Sequence, residues 1–229
     1  DYGVRGDPPT HPELLDWLAR ELVYSGWKLK AMHKLIMTSA VYQQSSTLDE
    51  AKAKLDRDNK LVWRNPPRRL EAEVIRDAIL AVGGQLDAKL YGPGTLDDQS
   101  KRRSIYFTVK RSKLMPMMII FDAPEALNGM AERPTTTIAP QALHLLNNAR
   151  TRDCAKTFAQ RLGTGKLPDA VHAAYRIALA RNPSTAELAD ALAFINEQMA
   201  TYANGDRRER ALTDFCQVLM CLNEFVYVD

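Results

Sequence analysis

Apolar positions along this chain recur mostly at three- and four-residue spacing, the period of an amphipathic helix. Leu14, Leu15, Leu18 and Leu22 form one such face. Thr10 is placed to cap that helix, Pro12 and Glu13 sit in its first turn, and Gly26 ends it. Leu29, Met32, Leu35 and Ile36 predict a second helix, and residues 47–58 read as a short, charged surface turn of helix. After the interruption at Pro66-Pro67, a helix starting near Arg68 carries Leu70, Val74, Ile75, Ile79 and Val82 on one stripe, and Gly83-Gly84 stop it. The helical period returns at Pro140 and runs to about Leu162. Beyond Gly163-Thr-Gly165 three helices follow, the middle one opened by Ser184 and Glu187 in capping-box spacing.

The period fails between residues 84 and 139. Tyr91-Gly-Pro-Gly94 is turn chemistry. Ser104-Ile-Tyr-Phe-Thr-Val109 is rich in β-branched and aromatic residues and is the best strand candidate. Met115–Phe121 is apolar and too short to assign to helix or strand by pattern. The three consecutive threonines of Arg133-Pro-Thr-Thr-Thr137 resist a helix interior, because branching at Cβ restricts χ1. They predict an extended polar strap feeding the helix that Pro140 begins. The expected fold is therefore mainly α, a multi-helix bundle with a small irregular or β insertion at about 86–139. The expected division is a helical domain over 1–162 and a three-helix subdomain over 163–229.

Composition narrows the class only a little. Of 229 residues, 45% are hydrophobic and 26% charged, ordinary values for a globular chain. Lys and Arg number 31 against 28 Asp and Glu, so the net charge of +3 weighs against a nucleic-acid or membrane-surface protein. No apolar run approaches the ~18 residues of a membrane span. The N-terminus lacks the apolar core of a signal peptide and reads as the middle of a longer protein. Cys154, Cys216 and Cys221 have no close pairing and predict reduced, buried thiols.

Candidate chemistry gathers around the irregular middle. No haem-attachment, zinc-protease, dinucleotide, phosphate-loop or nucleophile-elbow motif is present, and the four histidines are scattered singly. No metal or cofactor site is therefore expected in this fragment. Gln141, His144 and Asn148 share one helical face directly after the strap. Such a stripe either contacts a ligand or satisfies the strap's backbone. Arg102, Arg103, Arg111 and Arg133 stand among acidic residues that could pair with them. Arginine forks also suit an anionic glycan or a partner's carboxylates. Tyr106 and Phe107 between basic groups give a weaker resemblance to a single-stranded nucleic-acid strand. Asp122 is the best single acidic candidate. The expected ligand-binding set is Arg102, Arg103, Arg111, Asp122, Arg133, Gln141 and Asn147, with no catalytic residue assigned.

The order of several segments is similar to a known family. Asp7–Ala19, Ser25–His33, Arg68–Asp77, Arg102–Tyr106, Phe121-Asp122, Arg133 with Thr136-Thr137, Pro140–Leu143, Leu146-Asn147 and Asn223–Asp229 together resemble the planctomycete domain of unknown function 1553. The resemblance implies the C-terminal portion of a larger exported bacterial protein, often one with a cytochrome c domain upstream. Any haem c would then belong to that upstream part, and the upstream domains of the same polypeptide would be the first partners. Two departures stand out. His144 replaces a more usual apolar or aromatic residue, and Asn128–Arg133 lacks a cysteine expected there. The leading expectation is a binding or assembly module. A hydrolase acting on an anionic polysaccharide is the alternative, with single-stranded nucleic-acid binding behind it.

Overall fold

A computed structural model describes residues 6–124 and 133–228. The chain is mainly α, with eleven α-helices and one sheet of two short strands among the described residues. It divides into two compact units, the first ending at Arg68 and the second running from Arg69 to Val228.

In the first unit, α1 (Pro12–Tyr24) packs against α2 (Leu29–Met37), and α3 (Glu50–Leu55) follows. Pro12 starts α1 as expected, but Thr10 does not cap it. The position before the helix is His11, whose Nδ1 lies 3.0 Å from the Thr10 hydroxyl. Gly26 (φ 72°) and Trp27 (φ 61°) turn the chain between the helices. Glycine adopts that backbone freely, whereas the tryptophan is held there at a cost. Asp49 caps α3 through the N–H groups of Ala51 and Lys52. Within α1, α2 and α3, only Met32 is buried.

The second unit carries the hydrophobic core. Strand β1 (Arg68–Arg69) leads into α4 (Ala72–Val82), then α5 (Pro116–Ile120), α6 (Ala139–Asn147), α7 (Ala149–Arg161), α8 (Leu167–Leu179), α9 (Thr185–Thr201), α10 (Arg207–Cys221) and α11 (Asn223–Val226). The chain closes on β2 (Tyr227–Val228), which pairs with β1. Helix α10 packs on α7 and α9, and α7 also meets α4. Phe158, Ile75, Leu80, Ile195, Leu219 and Met220 are fully buried between them. Each such side chain contributes about 1.5–3 kcal/mol of transfer free energy. At the α4–α7 crossing Gly83 is essential in size. A Cβ built there would lie 3.0 Å from the Cys154 carbonyl oxygen and 3.1 Å from its Cβ.

Several boundaries differ from the periodicity. The helix expected from Pro140 to Leu162 is two helices. Asn148 ends α6 and caps α7, its side chain accepting from the N–H groups of Arg150 and Thr151. Asparagine at such a junction competes with the helical backbone for those donors. Ser104–Val109 is not a strand. Ser104–Tyr106 form a 3-10 turn, and only Phe107 bridges to Thr95. Met115–Phe121 resolves as helix, with Pro116 in the first turn of α5. The strap at 133–138 is free of regular structure. Ser184 and Glu187 form the expected capping box on α9. The break at Gly163–Gly165 lies inside the second unit. Gly163 (φ 72°) takes the chain from α7 toward α8, and α10 returns to pack on α7.

Candidate functional site

The strap is held from both sides by a polar node at its centre. Asp122 stands just after α5 in the left-handed region (φ 60°), a conformation that aspartate tolerates better than most residues. Its carboxylate accepts from the Arg69 guanidinium at 2.8 Å, from the Thr136 N–H at 2.8 Å and from the Thr136 hydroxyl at 2.9 Å. Arg69 donates further to the Thr136 carbonyl at 2.6 Å and the Phe121 carbonyl at 3.1 Å. Gln141 completes the node. Its amide donates to the carbonyls of Ile120 and Thr136 and its oxygen accepts from the Ile138 N–H. Burial opposes ionisation of Asp122. The Thr136 N–H, the Arg69 guanidinium and the Thr136 hydroxyl outweigh it, so the carboxyl titrates below its ordinary value. A carboxylate held charged by three donors is poorly suited to be a general acid. Of the polar stripe after the strap, Gln141 satisfies the strap's own backbone at Thr136 and Ile138, whereas His144 lies edge-on to Phe121 and Asn148 caps α7.

Arg133 grips α4. Its two terminal nitrogens reach both oxygens of Glu73 at 2.7 and 3.2 Å, and Glu71 lies 3.3 Å away. The hydrogen bonds to Glu73 hold its pKa above the ordinary arginine value. Arg102 is spent on the Tyr91–Gly94 turn. It donates to the carbonyls of Tyr91 and Pro93 and stacks 3.7 Å over the Tyr106 ring. Arg103 is half-exposed, 3.8 Å from Asp77. The side chains of Arg111 and Asn147 are exposed and make no hydrogen bond among the described residues. Of the seven candidates, Asp122 and Gln141 thus share one node, and Arg133 pairs with Glu73 of α4. Arg103 lies beside Asp77 of α4, Arg102 belongs to a separate loop, and Arg111 and Asn147 join none of these.

Two arginines absent from that set organise the irregular middle. Arg76 of α4 is buried, lies 4.4 Å over the Phe107 ring, and donates to the Ser100 and Arg102 carbonyls and the Ser104 hydroxyl. Burial and the nearby Arg150, opposed by Asp77, bring its pKa down to about 10. Arg150 of α7 reaches the carbonyls of Asp98, Gln99 and Ser100. Asp77 accepts from both the N–H and hydroxyl of Ser104 at 2.8 and 2.7 Å. A signal for Arg76 exists in the sequence. It stands four residues after Ala72 and four before Leu80, on the buried stripe of α4.

Two hollows adjoin these groups. A cavity of about 260 Å³ is lined by Arg76, Met118, His144, Arg150 and Cys154, among others. His144 is half-buried and edge-on to Phe121 at 6.2 Å between centroids, and burial lowers its pKa, which favours the neutral ring. Burial likewise raises the Cys154 thiol, so it is a poor nucleophile. The larger hollow, about 760 Å³, runs between α4, the 104–115 segment and α5, and Arg103, Asp122 and Arg133 stand on it. Among the described residues no three His, Cys, Asp or Glu side chains cluster as a metal site would require. No described helix is long and apolar enough to cross a membrane. The cysteine expected near Asn128–Arg133 concerns positions that, apart from Arg133, lie outside the described residues.

The model of one family, described as PSD1, protein of unknown function (DUF1553), matches residues 1–195, and the chain belongs to that family. No curated protein and no solved structure matches the chain.

Proposed function

We propose that this chain is a non-catalytic assembly module of a larger exported, cytochrome c-linked bacterial protein, of the planctomycete kind that the sequence resembles. One observation carries the reading. The first unit offers Leu14, Leu15, Trp17, Leu29, Ile36 and Met37 with 41–62% of each surface exposed, while burying only Met32 among its helices. Two amphipathic helices with so little buried between them call for a covering surface. The candidate polar residues support the same reading from the other side. Of the candidates, Arg102 and Arg133 are engaged by carbonyls and carboxylates of the chain itself, as is Arg69 beside Asp122, which leaves these three little capacity for an anionic sugar. The haem of such an assembly would reside in the upstream domains, and these are the partners proposed.

The test is to express this chain and the upstream part of its parent polypeptide as separate proteins. The expected result is a 1:1 complex in which the amides of α1 and α2 gain protection from hydrogen exchange. Two halves that pass each other on a sizing column, with α1 and α2 exchanging equally fast alone and mixed, would overturn the proposal.

A further inference from the structure

The larger hollow of the second unit has an apolar floor and an unbalanced rim. Val74, Ile105, Val109, Leu114 and Ile119 line it with 41–73% of each surface exposed. Its four carboxylates are already engaged: Glu71 and Glu73 by Arg133, Asp77 by Arg76 and Arg103, and Asp122 by Arg69. Lys110 and Lys113 also line it, brought together by a tight turn in which the Lys113 N–H donates to the Lys110 carbonyl at 3.0 Å. Neither lysine makes an ion pair among the described residues. The charge left available to a visitor is therefore positive and lies at the lysine turn, beside an aliphatic floor.

We infer that this groove docks a segment of a partner protein in which two or three large aliphatic or aromatic side chains stand beside carboxylates. The apolar side chains would fill the floor between Val74, Ile105 and Ile119, and the carboxylates would meet Lys110 and Lys113. About 760 Å³ is room for several side chains of such a segment. A glycan fits the same walls poorly, because its hydroxyls would face aliphatic groups and carboxylates already paired. The inference rests on the reading of the chain as an assembly module, but uses residues of the second unit only.

Short random peptides displayed on phage and selected on the whole chain test it, with counter-selection on the Ile105→Glu/Ile119→Glu variant. Both side chains are exposed, so the variant should keep its fold, which circular dichroism checks. Enriched peptides should combine large apolar residues with Asp or Glu. A labelled synthetic copy should bind the whole chain by fluorescence anisotropy and bind Lys110→Glu/Lys113→Glu roughly tenfold more weakly. Exchanging the peptide's carboxylates for lysines should recover that loss. The inference fails if nothing is enriched over the variant, if the enriched peptides are basic or uncharged, or if binding ignores the lysine reversal. It fails equally if the chain self-associates in sedimentation and Ile105→Glu/Ile119→Glu abolishes that, since a second copy would then fill the groove. Protection of α1 and α2 by the upstream domains is read separately, so either idea can fall while the other stands.

Discussion

Removing the Asp122 carboxylate should destabilise the second unit by far more than a surface ion pair would. The Arg69 and Asp122 side chains are only 5% and 13% exposed, and they meet at 2.8 Å. Asp122→Ala leaves the guanidinium buried without its counter-charge and strips the Thr136 N–H and hydroxyl of their acceptor. Breaking a buried pair by deleting one partner costs about 3–5 kcal/mol. Alanine in the left-handed region adds roughly 1 kcal/mol. Asp122→Ala should therefore cost about 4 kcal/mol or more, whereas Asp122→Asn, which keeps size and tolerates the backbone, should cost about 2 kcal/mol through lost charge-assisted hydrogen bonds. Urea unfolding followed by far-ultraviolet circular dichroism is the assay, because α4 to α11 belong to the second unit. The three tryptophans, Trp17, Trp27 and Trp63, all lie in the first unit, so their fluorescence follows that unit separately. The folded carboxyl titrates below its unfolded value. Its contribution is thus complete above the unfolded pKa of about 3.9 and declines as pH falls through the folded one. The gap between Asp122→Asn and the parent should close in strong acid. A loss under about 1 kcal/mol for Asp122→Ala, or a double-mutant cycle with Arg69→Ala showing no coupling, would refute the node as the fastening of the strap.

Two further expectations concern the helices of the second unit. Gly83→Ala should destabilise the second unit by about 1–3 kcal/mol, since its methyl meets the Cys154 backbone at 3.0 Å, and a thermal melt unchanged from the parent would contradict that crossing. Glu187 should titrate near 2 by carboxyl-carbon NMR, lowered first by the Arg181 guanidinium and then by the Ser184 N–H. The stability it lends is present above about pH 4.3 and fades as pH falls toward 2, and it is small because both partners are about a third exposed. Arg181→Lys should bring the midpoint up, and an unmoved midpoint would assign the shift elsewhere.

How much of the structure is legible in the sequence follows from range. Helix faces such as Ile75 with Ile79, the Ser184–Glu187 box and the extended threonines are set by neighbours a turn or less away, and each stands as the pattern predicts. The same locality misplaced the Ser104–Val109 strand. Its β-branched composition is real, but Asp77 and Arg76, more than twenty residues back, take the groups of Ser104 and leave a 3-10 turn. The candidate site shows the same division. Asp122, Arg133 and Gln141 are legible as polar residues beside a strap, yet the charged partners of Asp122 and Arg133 are Arg69 and Glu73, distant in sequence. Asn147 and Asn148 are equally plausible on paper, and only the break between α6 and α7 selects Asn148.

The guanidinium ties across residues 91–104 bear on how this protein can drift over generations. Arg76, Arg102 and Arg150 fasten that stretch through main-chain oxygens at Tyr91, Pro93, Asp98, Gln99, Ser100 and Arg102, which every amino acid supplies. Letters at most of those places are free to change. Spacing is not, because one residue gained or lost carries several oxygens out of reach together. Relatives should therefore differ freely in spelling here while keeping the count and the three arginines.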